Sequence, residues 1–189
     1  MRSLVILLIS ALPMVSPAQG VFSNSASAAL QTVIGDYPNR FRNIKGDVLN
    51  KDPQSTDYIS KVQIPGSVKT VITGYTAEAG REMYSWRCLM FESEDFDIVS
   101  RRYRELHAQI RNSIIKIEGE KPFILNGNYE IPDEGKKFTT SAFYLLPASG
   151  DMKKLKIELT MEYYVTEWKV ALLVYDQEQE AQNLQVKAD

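Results

Sequence analysis

Two similar segments of the sequence constrain the fold more than any other feature. The first is YSWRCLMFES at residues 84–93, and the second is TEWKVALLVYDQ, which begins at Thr166. Each has a tryptophan, then a basic residue, then an apolar run that ends in acid-rich sequence. Internal similarity of this kind is typical of a duplicated supersecondary unit. One such unit would bury little surface and leave an open sheet edge, so two copies are expected to share a core.

Two glycines indicate the same duplication. NIKGD (43–47) follows a first predicted helix, and KIEGE (116–120) follows a second. We therefore predict that Gly46 and Gly119 are equivalent, each a helix-end or turn glycine with a positive φ.

Hydrophobic periodicity predicts a helix followed by three strands, twice over. Apolar residues at helical spacing predict helices over 24–36 and from Glu94 to about Ile117, with Ser93 as the N-cap of the second. The predicted strands are 58–65, 69–75 and 83–93 in the first half and 137–147, 155–165 and 167–176 in the second. The segment PFILNGNYEIPDEG leaves room for an additional short strand, and NKDPQSTD has the composition of a loop.

These elements predict an α+β protein made of duplicated αβββ units, with an antiparallel sheet and helices packed on one face. The first unit spans 24–93 and the second spans 94–176, within one shared globular domain. Residues 177–189 are predicted to form a polar tail.

Alternation along the strands predicts which side chains are buried. The residues expected on the buried face are Tyr84, Trp86, Cys88 and Met90 in the first copy and Trp168, Val170, Leu172 and Val174 in the second. Cys88 stands where the other copy has Val170, so we predict a buried, inert thiol. A reactive thiol and an intermolecular disulfide are the alternatives. Because Cys88 is the only cysteine, no internal disulfide can form.

The N-terminus has the pattern of a signal peptide. A short basic start, Met1-Arg2-Ser3, precedes the largely apolar LVILLISALPMV, and small residues follow at Ser16 and Ala18. We predict a signal peptide over 1–18, cleavage near Ala18, and export to the periplasm or the extracellular space. A hydrophobic helix packed into the core is the alternative. No other segment approaches the roughly 18 apolar residues of a spanning helix, so no transmembrane segment is expected in the mature chain.

Composition and charge exclude some partners. The chain is 44% hydrophobic and 24% charged, which is ordinary for a globular protein, and its formal net charge is −2. Nucleic-acid binding needs a clustered basic face, so we do not expect a nucleic-acid partner.

The sequence has few of the residues that make recognisable catalytic or metal sites. It has one histidine, His107, so sites with two or more histidine ligands cannot form, and no CxxC, phosphate-loop or GxSxG motif is present. His107 is predicted at the edge of the apolar stripe of the long helix, as a boundary residue, with catalysis or pH sensing as the alternative. Glu92, Glu94, Asp95 and Asp97 are predicted to form a solvated helix cap, although carboxylate catalysis needs no motif. We predict no catalytic residue, no cofactor and no metal site.

One segment is a candidate for contact with a partner. YPNRFRNIKG places Tyr37, Arg40, Phe41 and Arg42 together after the first helix, and aromatic and arginine residues are frequent at binding hot spots. The alternative is that Phe41 and Ile44 fold back onto the core while the arginines remain solvated.

Two short motifs carry a family resemblance. Pro38-Asn39-Arg40-Phe41, with Ile44 and Gly46, and the later QIPG (63–66) resemble small exported bacterial proteins of unknown function. The order of the predicted elements resembles duplicated α/β modules of the secretion-chaperone or TATA-binding-protein-like type. Neither resemblance implies a catalytic residue.

These observations favour a non-catalytic role. We expect an exported binding or assembly module that receives a peptide, protein or apolar ligand in the cleft between the units or on the open sheet face. The alternative is a small envelope hydrolase that uses carboxylates or His107.

Overall fold

The structure, a computed structural model, describes residues 24–76 and 82–177, and within them it is an α+β protein with one large antiparallel sheet. The described helices are α1 (Asn24–Asp36) and α2 (Phe96–Ile110), and the strands are β1 (Lys45–Lys51), β2 (Ser55–Ser60), β3 (Lys69–Thr76), β4 (Glu82–Ser93), β5 (Ile114–Ile115), β6 (Phe123–Gly127), β7 (Phe138–Leu146), β8 (Leu155–Tyr164) and β9 (Glu167–Asp176). The predicted signal peptide at 1–18 and all but the first residue of the predicted tail at 177–189 lie outside the described residues.

The two strand groups join at the centre of the sheet. The strand order is β1-β2-β3-β4-β9-β8-β7-β6-β5, so β4 and β9 are the neighbours that link the strands following α1 to those following α2. Leu89 lies directly opposite Ala171 in this central pair, and a register shift follows between Leu89 and Phe91.

The predicted αβββ units were wrong in their number of strands. Four described strands follow α1 and five follow α2. The strand missed in the first half is β1, which lies at the sheet edge, is exposed over most of its length and has two register irregularities against β2. A strand exposed on both faces has no apolar alternation, which is why the pattern gave no signal. The short β5 and β6 fill the region after α2.

Helix α2 is shorter than predicted and has a different cap. It ends at Ile110 rather than near Ile117. The Asp95 carboxylate accepts a hydrogen bond from the backbone N–H of Ile98 at 3.0 Å and is the N-cap, whereas Ser93 Oγ accepts one from the N–H of Asp95. Asp95 therefore satisfies the free N–H of the first turn, in place of the predicted Ser93.

The two marker glycines have different roles. Gly119 has φ +82°, as predicted, but Gly46 lies inside β1 and is not among the positive-φ glycines. A Cβ on Gly46 would lie 2.8 Å from the carbonyl oxygen of Ile59 on the neighbouring strand. A glycine is needed at position 46 because the backbones of β1 and β2 approach each other closely. The prediction that Gly46 and Gly119 have the same conformation was therefore wrong.

Alternate residues of the central strands face a single core. All eight residues predicted on the buried face of β4 and β9 are buried, and they belong to one cluster with apolar residues of α1, α2 and the other strands. Helix α2 packs against β4, β8 and β9. Cys88 is fully buried as a free thiol and accepts a hydrogen bond from Thr70 Oγ1 at 3.3 Å, which confirms its predicted burial.

The remaining strand residues point to the opposite side of the sheet, which we call the outer face. Arg87, Leu89 and Lys169 are examples, and they alternate with members of the core cluster. In the described part of the chain, neither helix combines the length and apolarity needed to cross a membrane.

Candidate functional site

A groove of about 510 Å³ lies on the outer face over the centre of the sheet. Its lining residues are Asp57, Lys69, Val71, Thr73, Arg87, Leu89, Glu162, Tyr164 and Lys169. They come from β2, β3, β4, β8 and β9, so both sides of the central strand pair contribute. Strand alternation explains the arrangement, because residues paired across neighbouring strands point to the same face. Val71 is opposite Arg87, and Lys69 is opposite Leu89.

Most charged side chains of the groove already have a partner within the protein. The Arg87 guanidinium forms an ion pair with the Glu162 carboxylate, and Thr73 Oγ1 donates a hydrogen bond to Asp57 at 2.6 Å. Lys169 Nζ lies 3.4 Å from a Glu92 oxygen and 3.5 Å from a Glu167 oxygen. Desolvation lowers the pKa of Lys169, but the hydrogen bonds and charges of Glu92 and Glu167 outweigh it and raise the pKa above its usual value. These pairs fix the positions of the side chains that line the groove.

Lys69 is the exception among the groove cations. It is exposed, and its ammonium forms no hydrogen bond or ion pair with any residue in the described ranges. An ammonium that is not neutralised within the protein attracts an anionic group from solution.

The floor beside the paired charges is apolar. Val71 and Leu89 are the aliphatic residues of the lining, and both are half-buried. Tyr164 stands at the edge of the groove with 64% of its surface exposed. The groove thus combines an apolar floor, an exposed aromatic ring and a free cation.

A second cavity, of about 250 Å³, lies at the end of the sheet where β4 begins and β9 ends. Its lining residues are Tyr37, Pro38, Arg40, Phe41, Glu82, Met83, Tyr84, Asp151, Lys154 and Asp176. We call it the end cavity. Burial, reinforced by a hydrogen bond to Glu82, raises the pKa of Tyr84 to about 12, so its hydroxyl stays a donor at neutral pH.

The residues predicted for partner contact divide between this cavity and the core. Tyr37, Arg40 and Phe41 line the end cavity and Arg42 does not. Phe41 is fully buried and Ile44 is 5% exposed, so the aromatic ring folds back onto the core, while both arginines remain exposed.

The turn that carries these residues is held by one buried carboxylate. Asp36, at the end of α1, is 6% exposed. Its two oxygens accept hydrogen bonds from the side-chain amides of Asn39 and Asn43 and from the backbone N–H groups of Asn43 and Ile44. A buried carboxylate needs such partners, and here they fix the path of the chain after α1.

His107 is buried, rather than at the boundary predicted for it. It is 4% exposed, and its ring centroid lies 5.1 Å from those of both Tyr129 and Phe143. Desolvation by burial, with the nearby positive charge of Arg111, lowers its pKa, although a hydrogen bond with the backbone of Asn128 opposes this. Nε2 has no hydrogen-bond partner among residues 24–76 and 82–177. The imidazole is therefore a neutral part of the core.

The acidic residues near the start of α2 have separate structural contacts. Asp95 caps the helix and Glu92 pairs with Lys169, while Glu94 and Asp97 are exposed. Across residues 24–76 and 82–177, no three potential ligand side chains of His, Cys, Asp or Glu are placed to hold a metal ion.

No family model, curated protein or solved structure matches this chain. The groove and the end cavity therefore have to be interpreted from their own chemistry.

Sequence reasoning missed the groove because its residues are far apart along the chain. Lys69, Arg87 and Lys169 lie on three different strands, and only strand pairing brings them together. The available signal was the repeated occurrence of charged residues at solvent-facing strand positions, which is common to many half-buried strands.

Proposed function

We propose that this protein is an exported, non-catalytic binding module, and that its groove receives an extended segment of a peptide or protein. The observation that carries the proposal is the combination in the groove of an unpaired ammonium on Lys69, an apolar floor at Val71 and Leu89, and the exposed ring of Tyr164. A segment with a carboxylate beside an apolar side chain complements these three features.

The charge content of the groove favours a peptide over a purely apolar ligand. Five of its lining residues are charged: Asp57, Lys69, Arg87, Glu162 and Lys169. An apolar molecule would remove water from these groups without replacing its hydrogen bonds, which is costly. A peptide supplies amide donors and acceptors along its length and keeps the charged groups hydrogen-bonded.

The surroundings of His107 do not favour the alternative hydrolase. A general base must reach the proton that it abstracts, and His107 lies inside the core between two aromatic rings. Carboxylates in the groove are held in pairs with Arg87 and Thr73.

We also propose that the two halves are copies of one unit, with both helices on the core face. Leu89 and Ala171 are directly opposite each other and are separated in sequence by the same interval as Trp86 and Trp168. An approximate twofold axis through the Leu89–Ala171 pair would relate β4 to β9 and would place the groove next to that axis. The shared core cluster, which includes residues of both helices, supports the same arrangement.

Selection of random peptides displayed on phage against the full chain tests the binding proposal. We expect enriched peptides with an acidic residue near an aromatic or large aliphatic residue, and binding that weakens with added salt. Lys69→Glu should reduce the affinity of one synthesised peptide by about tenfold or more, measured by fluorescence anisotropy, because it replaces an attraction by a repulsion.

Lys121→Glu is the matched control, because Lys121 is exposed and lies in the loop before β6, outside the groove lining. It makes the same change in net charge and should leave the affinity unchanged. The proposal fails if no peptide is enriched, or if both variants weaken binding equally.

A further inference from the structure

The end cavity has a lining that the proposed peptide groove does not explain. It shares no residue with the groove. Its volume of about 250 Å³ is below the roughly 300–1,000 Å³ of sites for drug-sized ligands, so it suits a smaller molecule.

Both signs of charge face this small space. Arg40 and Lys154 contribute cations, and Glu82, Asp151 and Asp176 contribute carboxylates. Two of the carboxylates are oriented by phenols, because Tyr37 donates to Asp176 at 3.1 Å and Tyr84 donates to Glu82 at 2.9 Å.

The backbone at Arg40 adds an independent observation. Arg40 has φ 56° and ψ 40°, and Phe41 has φ 55°, so two consecutive non-glycine residues are left-handed. This conformation is unfavourable for a residue that has a Cβ. Burial of the Phe41 ring offsets the cost at that position, but the Arg40 side chain is exposed and has no hydrogen bond or ion pair within the described residues.

Strain of this kind persists where the surrounding structure enforces it, and it clusters at ligand sites. Asp36 enforces it here, because its carboxylate holds Asn39, Asn43 and Ile44 on either side of Arg40. The turn thus places an unpaired guanidinium at a cavity whose other wall carries oriented carboxylates.

From this arrangement we infer that the end cavity is a binding site for a small zwitterion, a free α-amino acid. The carboxylate of the ligand pairs with the Arg40 guanidinium, and its ammonium group lies beside the carboxylates of Glu82 and Asp176. A guanidinium recognises a carboxylate through two parallel hydrogen bonds, which makes Arg40 the specific contact. The cavity is open to solvent at Arg40, Asp151 and Lys154, so the affinity is modest.

Titration of the isotope-labelled full chain, followed by amide NMR shifts, tests this site. The probes are L-alanine, L-leucine, L-glutamate and L-lysine, each with its N-acetyl derivative, which lacks the ammonium, and its amide, which lacks the carboxylate. We expect saturable shifts around residues 36–44 and 82–84 with at least one amino acid. Both blocked forms of that amino acid should bind at least about tenfold more weakly.

Two variants complete the test. Arg40→Gln should weaken binding by about tenfold or more, and Lys121→Gln, which removes the same charge from an exposed position outside the cavity lining, should not. The inference is overturned if none of the four amino acids gives saturable shifts, if the blocked forms bind equally well, or if the two variants have the same effect. Because groove binding is measured separately with Lys69→Glu, failure at one site does not imply failure at the other.

Discussion

Trp86 and Trp168 occupy matching places in the sequence repeat, but their surroundings in the sheet differ. Trp86 lies within β4, paired with Ile72 on one side and Val174 on the other, and is fully buried. Its Nε1 donates a hydrogen bond to Ser60 Oγ at 3.1 Å. In the first half, therefore, a polar side chain of β2 accepts the hydrogen bond of the buried indole N–H.

Trp168 lies near the start of β9 and is packed by aromatic rings. Its ring centroid is 5.0 Å from that of Phe96, in an edge-on arrangement, and 5.2 Å from that of Tyr163. Its 4% exposure places it at the rim of the core, next to the first turn of α2. Two strands with similar sequence patterns are therefore stabilised by different side-chain contacts.

The largest expected effect comes from truncating these two tryptophans. Trp86→Ala should lower the free energy of unfolding by about 3–5 kcal/mol, because it opens a cavity and removes the hydrogen bond that the indole donates to Ser60 Oγ. Trp168→Ala should cost about 1 kcal/mol less, because the rim can relax around Phe96 and Tyr163. Urea denaturation measures both values. Equal losses, or a larger loss for Trp168, would show that the polar contact of the first half has no stabilising role.

Substitution of two strand glycines, one in each half, should have effects of intermediate size on stability. A Cβ on Gly127 in β6 would lie 2.5 Å from the Phe143 ring and 2.7 Å from the backbone oxygen of Ala142. For a Cβ on Gly74 in β3, the three nearest atoms all belong to the Tyr84 ring, the closest at 2.7 Å. Gly127→Ala should therefore destabilise the fold by about 1–3 kcal/mol, and Gly74→Ala by less, because a ring moves more easily than a backbone.

Thermal or urea unfolding of the two glycine variants checks this order. Gly35→Ala in α1 is the control, since apart from its chain neighbours and the nearby backbone of α1, no atom of the described residues lies within 4 Å of the added Cβ. It should not destabilise the protein, because alanine is favoured over glycine in a helix. A Gly74→Ala variant that is less stable than Gly127→Ala would contradict the proposed difference between ring and backbone neighbours.

The smallest expected effect is a pH dependence of stability that arises from His107, on α2 of the second half. The pKa of His107 is lowered in the folded state from an unfolded value of about 6.5, so between the two pKa values the unfolded chain binds more protons. Stability should therefore fall as the pH drops below about 6.5 and should level off below the folded pKa. His107 is the only histidine, so His107→Gln should remove this pH dependence, measured as urea midpoints at several pH values. An unchanged slope in the variant would assign the effect to carboxylates instead.

Strands with one buried face were largely predictable from the sequence. The alternation in β4, β8 and β9 placed Trp86, Cys88 and Val170 on the buried side, and the structure confirms this. The edge strand β1 and the end of α2 were missed. Residues 45–51 have no face to bury. Ile114 and Ile117 continue the helical spacing of α2, although Ile114 belongs to the short strand β5.

The binding sites were much less predictable. The sequence drew attention to Tyr37, Arg40, Phe41 and Arg42 as neighbours along the chain, and three of them do line the end cavity. Nothing in the sequence connected them to the acids on the distant strands β4 and β9. Likewise, no local pattern indicated that Arg87 would pair with Glu162 while Lys69 would remain unpaired.

The sequence by itself determined the α+β class, the buried faces of the central strands and the burial of the single thiol, because these depend on the local periodicity of apolar residues. Only the tertiary structure decided that β4 and β9 meet at the centre of one sheet, that His107 is enclosed by aromatic rings, and that Arg40 faces carboxylates from other elements. Those features depend on pairing between residues that are distant in sequence, and which strands pair is settled by the total burial and hydrogen bonding of the whole chain rather than by any local segment.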